Sequence, residues 1–296
     1  MSLVVNTNVA SMNAQRSLMH SSRELQTAME RLSTGKKINS AADDAAGFAI
    51  AESMTAQIRG LSMAAKNASD GLSLLKVVEN ATNDVTDMLQ RIRELAVQAK
   101  SGTNSSNDFG NLQLEADALM DEITRVSDNT TFNGVTYIGS GAGEVSIQVG
   151  YNDNDSIGIT TYSVSATALG LRSEGTPEVP EEQDGDGNIT TQYAAAVPAS
   201  NLDITSDDAL DTISDAINTV GGYKAEWGAG QNRLEYTVSN LMNVVEFTSA
   251  ARSRIQDADF AVEAARLAKS QVLQQTGTAM LAQANASPQL AISLIS

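Results

Sequence analysis

Residues able to carry chemistry are scarce in this chain. His20 is the only histidine, and there is no cysteine in the 296 residues. One imidazole cannot build a three-histidine metal centre, a zinc-protease H-E-x-x-H helix or a Ser-His-Asp triad, because each needs further partners. Without thiols there is no disulfide framework, thiol nucleophile or cysteine-ligated metal. His20 is followed by Ser21, Ser22 and Arg23 and reads as a solvated or interface residue. Two carboxylate pairs, Asp43 with Asp44 and Asp257 with Asp259, fall in helical stretches, where capping or ion pairing is their expected use. Asp184, Asp186 and Asn188, with glycines between them, imitate the first half of a calcium loop. Ala195 stands where the bidentate glutamate would be, so this is read as an acidic solvated loop. No glycine-rich phosphate loop lies beside a strand. No catalytic, metal or cofactor site is expected.

The positive signal is helical periodicity at both ends of the chain. Residues 231–276 hold neither glycine nor proline, so nothing in them forbids a continuous helix. Leu241, Val245, Thr248, Ile255, Val262, Ala265, Val272 and Ala279 recur at intervals of three, four or their sum, which predicts one packing stripe. The N-terminal half offers a partner. Val9, Met12, Met19, Leu25, Met29 and Leu32 are expected on one side of a first helix, stopped by Gly35. Ser40 with Asp43 reads as a capping box that restarts the chain. Phe48, Ala51, Met54, Ile58, Leu61, Ala65, Ala68, Leu72 and Leu75 then step by threes and fours. A slip of one residue carries the stripe on through Val78, Val85, Leu89, Ile92 and Ala99. Gly47, Gly60 and Gly71 weaken this helix or mark a close approach to it.

A third helix is expected with Leu112, Ala116, Leu119, Ile123 and Val126 on one face. The period then changes to two. Residues 144–149 and 156–160 alternate polar with apolar around a turn, which predicts a β-hairpin. Residues 173–200 hold three of the four prolines and six acidic residues without a basic one, and read as an exposed insertion. A short helix over 207–220 is expected to stop at Gly221 and Gly222, with a long C-terminal helix starting near Gly230. The predicted fold class is mainly α. Long terminal helices pair into a coiled-coil or helical-bundle rod, with a small β-hairpin region and a short outer insertion. The expected layers are 1–43 with 265–296, 44–172 with 205–264, and 173–204 outermost.

Hydrophobic residues make up 42% of the chain but aromatics only 4%, which suits close helix packing more than a thick globular core. A formal charge of −17 argues against nucleic acid as a partner and keeps an exposed assembly soluble. No apolar run approaches the roughly 20 residues of a membrane span. The start of the chain lacks a signal-peptide core, so ordinary targeting rules predict a cytoplasmic protein unless a dedicated export apparatus is used. Stripes on more than one side of each terminal helix cannot all be covered within one chain. Self-association is therefore expected, and head-to-tail contacts that do not close into a ring build a helical filament.

Several longer motifs lie in order at the two ends. They are NTNV at 6–9, RLSTG at 31–35, INSAADDAAG at 38–47, QRIRELAVQ at 90–98 and FNG at 132–134. Toward the other end come GQNRL at 230–234, ARSRI at 251–255, DADF at 257–260, QAN at 283–285 and PQ at 288–289. With them the sequence resembles the bacterial flagellins over roughly 1–171 and 205–296. The resemblance implies terminal helices that form the inner and outer tubes of an extracellular filament wall. It also implies passage through the flagellar type III export apparatus, a chaperone that binds around 255–296, and hook-associated and cap proteins as neighbours. In some flagellins a Toll-like receptor of innate immunity reads a helical patch whose matching positions here are Arg91, Leu95 and Glu115. A hook–filament junction protein is the alternative within the same machine. A flagellin with a metallopeptidase insert is disfavoured by the single histidine, and a cytoplasmic coiled-coil scaffold would not explain the hairpin between helical arms.

Overall fold

The computed structural model describes residues 7–174, 182–183, 189–191 and 200–293. The calcium-like segment 184–188 and most of the 173–204 insertion lie outside the described residues. Five helices dominate: α1 (Val9–Thr34), α2 (Ala45–Ala99), α3 (Ser106–Asn129), α4 (Ala209–Gln256) and α5 (Phe260–Ser293). Four antiparallel strand pairs accompany them. β1 (Thr131–Phe132) pairs with β2 (Val135–Thr136), and β3 (Glu144–Gln148) with β4 (Ser156–Thr160). β5 (Arg172–Ser173) pairs with β8 (Ser200–Asn201), enclosing β6 (Glu182–Gln183) and β7 (Ile189–Thr191), which pair with each other. The chain divides into two compact units, Met1–Arg59 with Val244–Ser296, and Gly60–Asn243.

In the first unit α1 begins at Asn8, whose side-chain oxygen accepts from the Ser11 amide, and ends at Gly35, whose φ of 70° is the left-handed cap expected of glycine. The restart differs from expectation. Asp43 folds a turn, its Oδ2 accepting from the Asn39 and Ser40 amides at 3.1 and 3.0 Å. The Ser40 amide bond, then that of Asn39, holds the Asp43 carboxyl below its ordinary pKa. The cap of α2 is Asp44, whose Oδ1 accepts from the Gly47 amide at 3.0 Å.

The C-terminal stretch corrects the sequence reading twice. Gly221 and Gly222 do not stop a helix, because α4 runs through both to Gln256. Each glycine costs about 1 kcal/mol there. The buried side chains of Val220, Trp227 and Leu234, spaced by seven on one face, outweigh that. The helix breaks instead at 257–259, where there is neither glycine nor proline. Tertiary hydrogen bonds make this break. The Gln256 carbonyl accepts from the Lys37 and Ile38 amides at 2.7 and 3.4 Å, and the Ala258 amide donates to the Gly35 carbonyl at 2.9 Å. Asp259 then caps α5, accepting from the Ala261 and Val262 amides at 2.9 and 3.2 Å.

The second unit holds the apolar core. Val78, Val85, Leu89, Ile92 and Leu95 of α2 are buried together with Met120 and Ile123 of α3, and with Ile213, Val220 and Leu234 of α4. α3 starts with a full capping box, Ser105 and Asp108 each bonding the other's amide. The predicted hairpin is present, with Val145 opposite Ile159 and Ile147 opposite Ile157. Its buried isoleucines explain two glycines of α2. A Cβ at Gly71 would overlap Ile147 Cδ1, and one at Gly60 would lie 2.8 Å from Tyr151 Cβ. These glycines admit a hairpin and its loop, and Gly71 also faces Leu234 of α4. Trp227 is buried, its Nε1 donating to the Thr160 carbonyl at 2.9 Å. Replacing the fully buried Leu89 by Ala is expected to cost about 2–5 kcal/mol, read as a lower denaturation midpoint with an unchanged slope.

Candidate assembly surface

α1 and α5 pack against each other in antiparallel fashion. The Asn8 side-chain amide donates to the Ala284 carbonyl at 2.7 Å. Leu18 Cδ1 lies 3.2 Å from where a Cβ of Gly277 would sit. Arg31 reaches Glu263 at 3.3 Å. The inward side chains follow an alternating four-three spacing on both helices. On α1 they are Ser11, Ala14, Leu18, Ser21, Leu25, Ala28 and Leu32, all buried or half-buried. On α5 they are Glu263, Leu267, Ser270, Gln274, Gly277 and Leu281, likewise buried or half-buried. This is heptad spacing in which five leucines alternate with small and polar residues, and the small ones let the two backbones come close.

The most buried charge of the pair is Glu263, whose side chain is 6% exposed. Its Oε1 accepts from Arg31 Nη1 at 3.3 Å and from Arg266 Nη1 at 2.7 Å. Arg31 is 19% exposed on its side chain, and its Nε is buried without a partner. One carboxylate is thus shared by two guanidinium groups at the end of the seam nearest the 257–259 break. The apolar stripe read from the sequence does not include Glu263. The signal that finds it is the four-three count through polar residues, which a search for apolar stripes passes over.

The stripe read from the sequence is distributed as follows. Leu61, Leu75 and Leu241 are buried, while Phe48, Met54, Ile58, Leu72, Val245 and Ile255 are half-buried. Val262 and Val272 of α5 are exposed, as are Ala265, Ala268 and Ala279. With 100° per residue, Ala261, Ala265, Ala268, Val272 and Ala279 lie on the side of α5 opposite its seam with α1. α1 repeats the pattern. Val9, Met12 and Met19 are exposed, and with Arg16 and Arg23 they form a second four-three row opposite the buried one. The expectation that Leu25 and Leu32 share a side with Val9 and Met12 is corrected, because these leucines face the seam.

Arg91 and Glu115 are brought together in the other unit. Arg91 Nε and Nη2 both donate to Glu115 Oε1, at 2.9 and 2.7 Å, and Nη1 donates to Glu94 at 3.0 Å. These bonds, Glu115 first, raise the Arg91 pKa above its ordinary value. Both groups are about half exposed, whereas Leu95 is fully buried beneath them. His20 is exposed, 3.7 Å from Glu24 on the same helix. No group of three or more His, Cys, Asp or Glu able to hold a metal is found among the described residues.

An all-helical pair with a polar seam inside and small apolar rows outside defines a structural, self-packing class of protein. Comparison with known proteins makes this specific. Residues 5–138 match the bacterial flagellin N-terminal helical region, and residues 210–295 match the bacterial flagellin C-terminal helical region. A flagellin of Xenorhabdus nematophila is 43% identical over the whole of both chains. A Bacillus subtilis flagellin is 39% identical over 98% of this chain and 99% of its own, and flagellin A of Vibrio cholerae is 35% identical over the whole of both. The chain belongs to the flagellin family, a family of structural proteins, and is a filament subunit; the hook–filament junction reading is not favoured.

Removing the carboxylate with Glu263→Ala leaves Arg31 and Arg266 without their shared partner, which is expected to cost about 3 kcal/mol locally. Hydrogen exchange of the α1 and α5 amides is expected to speed up by roughly a hundredfold, with the amides of the α2–α3 core unchanged.

Proposed function

We propose that this chain is exported and polymerises outside the cell into the wall of a swimming filament, with the outward rows of α1 and α5 buried against other copies. One observation carries the reading. The terminal pair buries Glu263, Ser270, Ser11 and Ser21 while leaving Val9, Met12, Val262 and Val272 in solvent. A chain that ended as a monomer would place these the other way round, because apolar burial is the main source of helix pairing. In this reading 1–43 with 265–296 form the inner layer, 44–172 with 205–264 the next, and 173–204 the outermost. No residue has a catalytic role. The flagellar export chaperone, the type III apparatus, and the hook-associated and cap proteins are the proposed partners, with 255–296 as the chaperone-binding stretch.

The test places a charge on the outward row without touching the seam. Ala268→Glu is expected to keep the helix content of the monomer and to abolish seeded growth of long filaments, seen by electron microscopy. Filaments of normal length from this variant would overturn the proposed packing.

We also propose that a host Toll-like receptor reads the Arg91–Glu115 pair, with Leu95 supporting it from below. The exposed pair, in which two Arg91 N–H groups donate to one Glu115 oxygen, supports this, since a planar guanidinium is suited to recognition by a partner's carboxylates and carbonyls. Arg91→Ala is expected to lower reporter-cell signalling by purified monomer several-fold. Unchanged signalling would remove the proposal.

A further inference from the structure

Methionine and leucine are sorted to opposite places in this chain. Met12, Met19, Met29, Met63, Met242 and Met280 are 55%, 58%, 54%, 56%, 62% and 64% exposed. Among the described residues only Met120 is a buried methionine, with Met54 and Met88 half-buried. Among the leucines whose side chains are described, only Leu114 and Leu273 are exposed. The two side chains are similar in size and apolarity, so burial alone does not account for the sorting. They differ in two properties. Methionine is unbranched and adaptable, which suits a surface that must fit more than one neighbour geometry. Its thioether is also oxidisable, and the chain has no cysteine to react in its place.

Four of these methionines lie on the terminal pair, Met12, Met19 and Met29 on α1 and Met280 on α5. Met12 and Met19 sit in the outward row of α1, one heptad apart, flanked by Val9, Arg16 and Arg23. Met280 is the most exposed of the six and lies on α5. We propose that these thioethers are an oxidative modification site that controls assembly: peroxide-class oxidants convert them to sulfoxides in the free subunit and block its polymerisation, whereas the filament shields them. The proposal rests on the filament reading above. In the reaction a sulfur lone pair attacks one oxygen of the peroxide and the O–O bond breaks. The S=O group forms, and the other oxygen leaves with the transferred proton as water. The sulfur is oxidised by two electrons and the peroxide reduced by two. A sulfoxide is a strong hydrogen-bond acceptor, and burying it at a subunit interface costs free energy wherever Arg16 or Arg23 does not reach it as a donor.

Purified subunit is treated with hydrogen peroxide, oxidation is mapped by mass spectrometry, and the critical concentration for seeded assembly is measured. The six exposed methionines are expected to react before Met54 and Met88, and Met120 last. The critical concentration is expected to rise roughly tenfold or more. Methionine sulfoxide reductases A and B should restore it, and the M12Q/M19Q variant should reproduce the rise without peroxide. In preformed filaments given the same dose, Met12 and Met19 should stay unoxidised. Oxidised subunits that assemble at the untreated critical concentration, or Met12 and Met19 reacting as fast in filaments as in free subunits, would overturn this proposal alone. Untreated subunits that never assemble would overturn the filament reading and this proposal with it.

Discussion

The crossing of the chain's two breaks, 35–38 against 256–258, is the constraint on which the terminal unit depends. α1 and α5 could each continue into their neighbours, α2 and α4, by propensity alone in the case of α5. They do not, because the Gln256 carbonyl is taken by the Lys37 and Ile38 amides and the Gly35 carbonyl by the Ala258 amide. Lys36 and Asp257 complete the bridge between the two segments. Each such hydrogen bond contributes only about 1 kcal/mol net, but leaving the groups unpaired would cost more than that. The breaks therefore hold each other open. They also set the register of the seam, since Arg31 and Glu263 lie one helical turn beyond the crossing and meet only if the crossing is fixed.

Register matters more here than in an ordinary core. The seam between α1 and α5 mixes leucines with serines, a glutamine and a glutamate, so apolar burial alone selects its alignment weakly. Ser11, Ser21, Ser270 and Gln274 would tolerate a slip of a heptad, whereas Glu263 would not, because a slip strands a mostly buried Arg31. Specific pairing thus comes from one ion cluster and a hydrogen-bonded crossing, with the seam leucines adding burial and Val9, Met12, Val262 and Val272 left on the outer faces. The second unit is built the other way. Leu89, Ile92, Met120, Ile123, Ile213 and Leu234 are fully buried there, and the hairpin is seated by Ile147 over Gly71, so shape complementarity selects the arrangement.

This contrast explains what was legible in the sequence. The core of the second unit, the hairpin at 144–160 and the Gly35 stop follow local rules of period and turn chemistry, and the structure has them where those rules put them. The passage of α4 through Gly221 and Gly222 was not legible, since a glycine's cost is local but the packing of Trp227 and Leu234 that offsets it is not. The break at 257–259 was invisible for the same reason: its cause lies more than 200 residues away at 35–38. The periodicity of α5 was read correctly as a stripe, yet that stripe faces away from α1. An apolar period reports that a face is to be covered, not what covers it. Leu95 shows the limit for the candidate receptor patch, where a motif match gives positions in the chain and says nothing of which side chains reach solvent.

The charge distribution carries the same logic one step further. α1 and α5 hold five basic residues, Arg16, Arg23, Arg31, Arg266 and Lys269, against three acidic ones, Glu24, Glu30 and Glu263. The chain as a whole stands at −17, so all of its net negative charge lies outside these two helices. Packing like-charged faces together in a polymer would bring charge repulsion and desolvation, both steep where water is excluded. Faces close to neutral avoid that cost. The acidic remainder keeps free subunits apart in solution at low ionic strength, and its repulsion is screened over about 8–10 Å in physiological salt. The terminal pair can then supply short-range attraction while the rest of the chain supplies solubility, which is the division a subunit needs if it is to stay free until it meets a growing end.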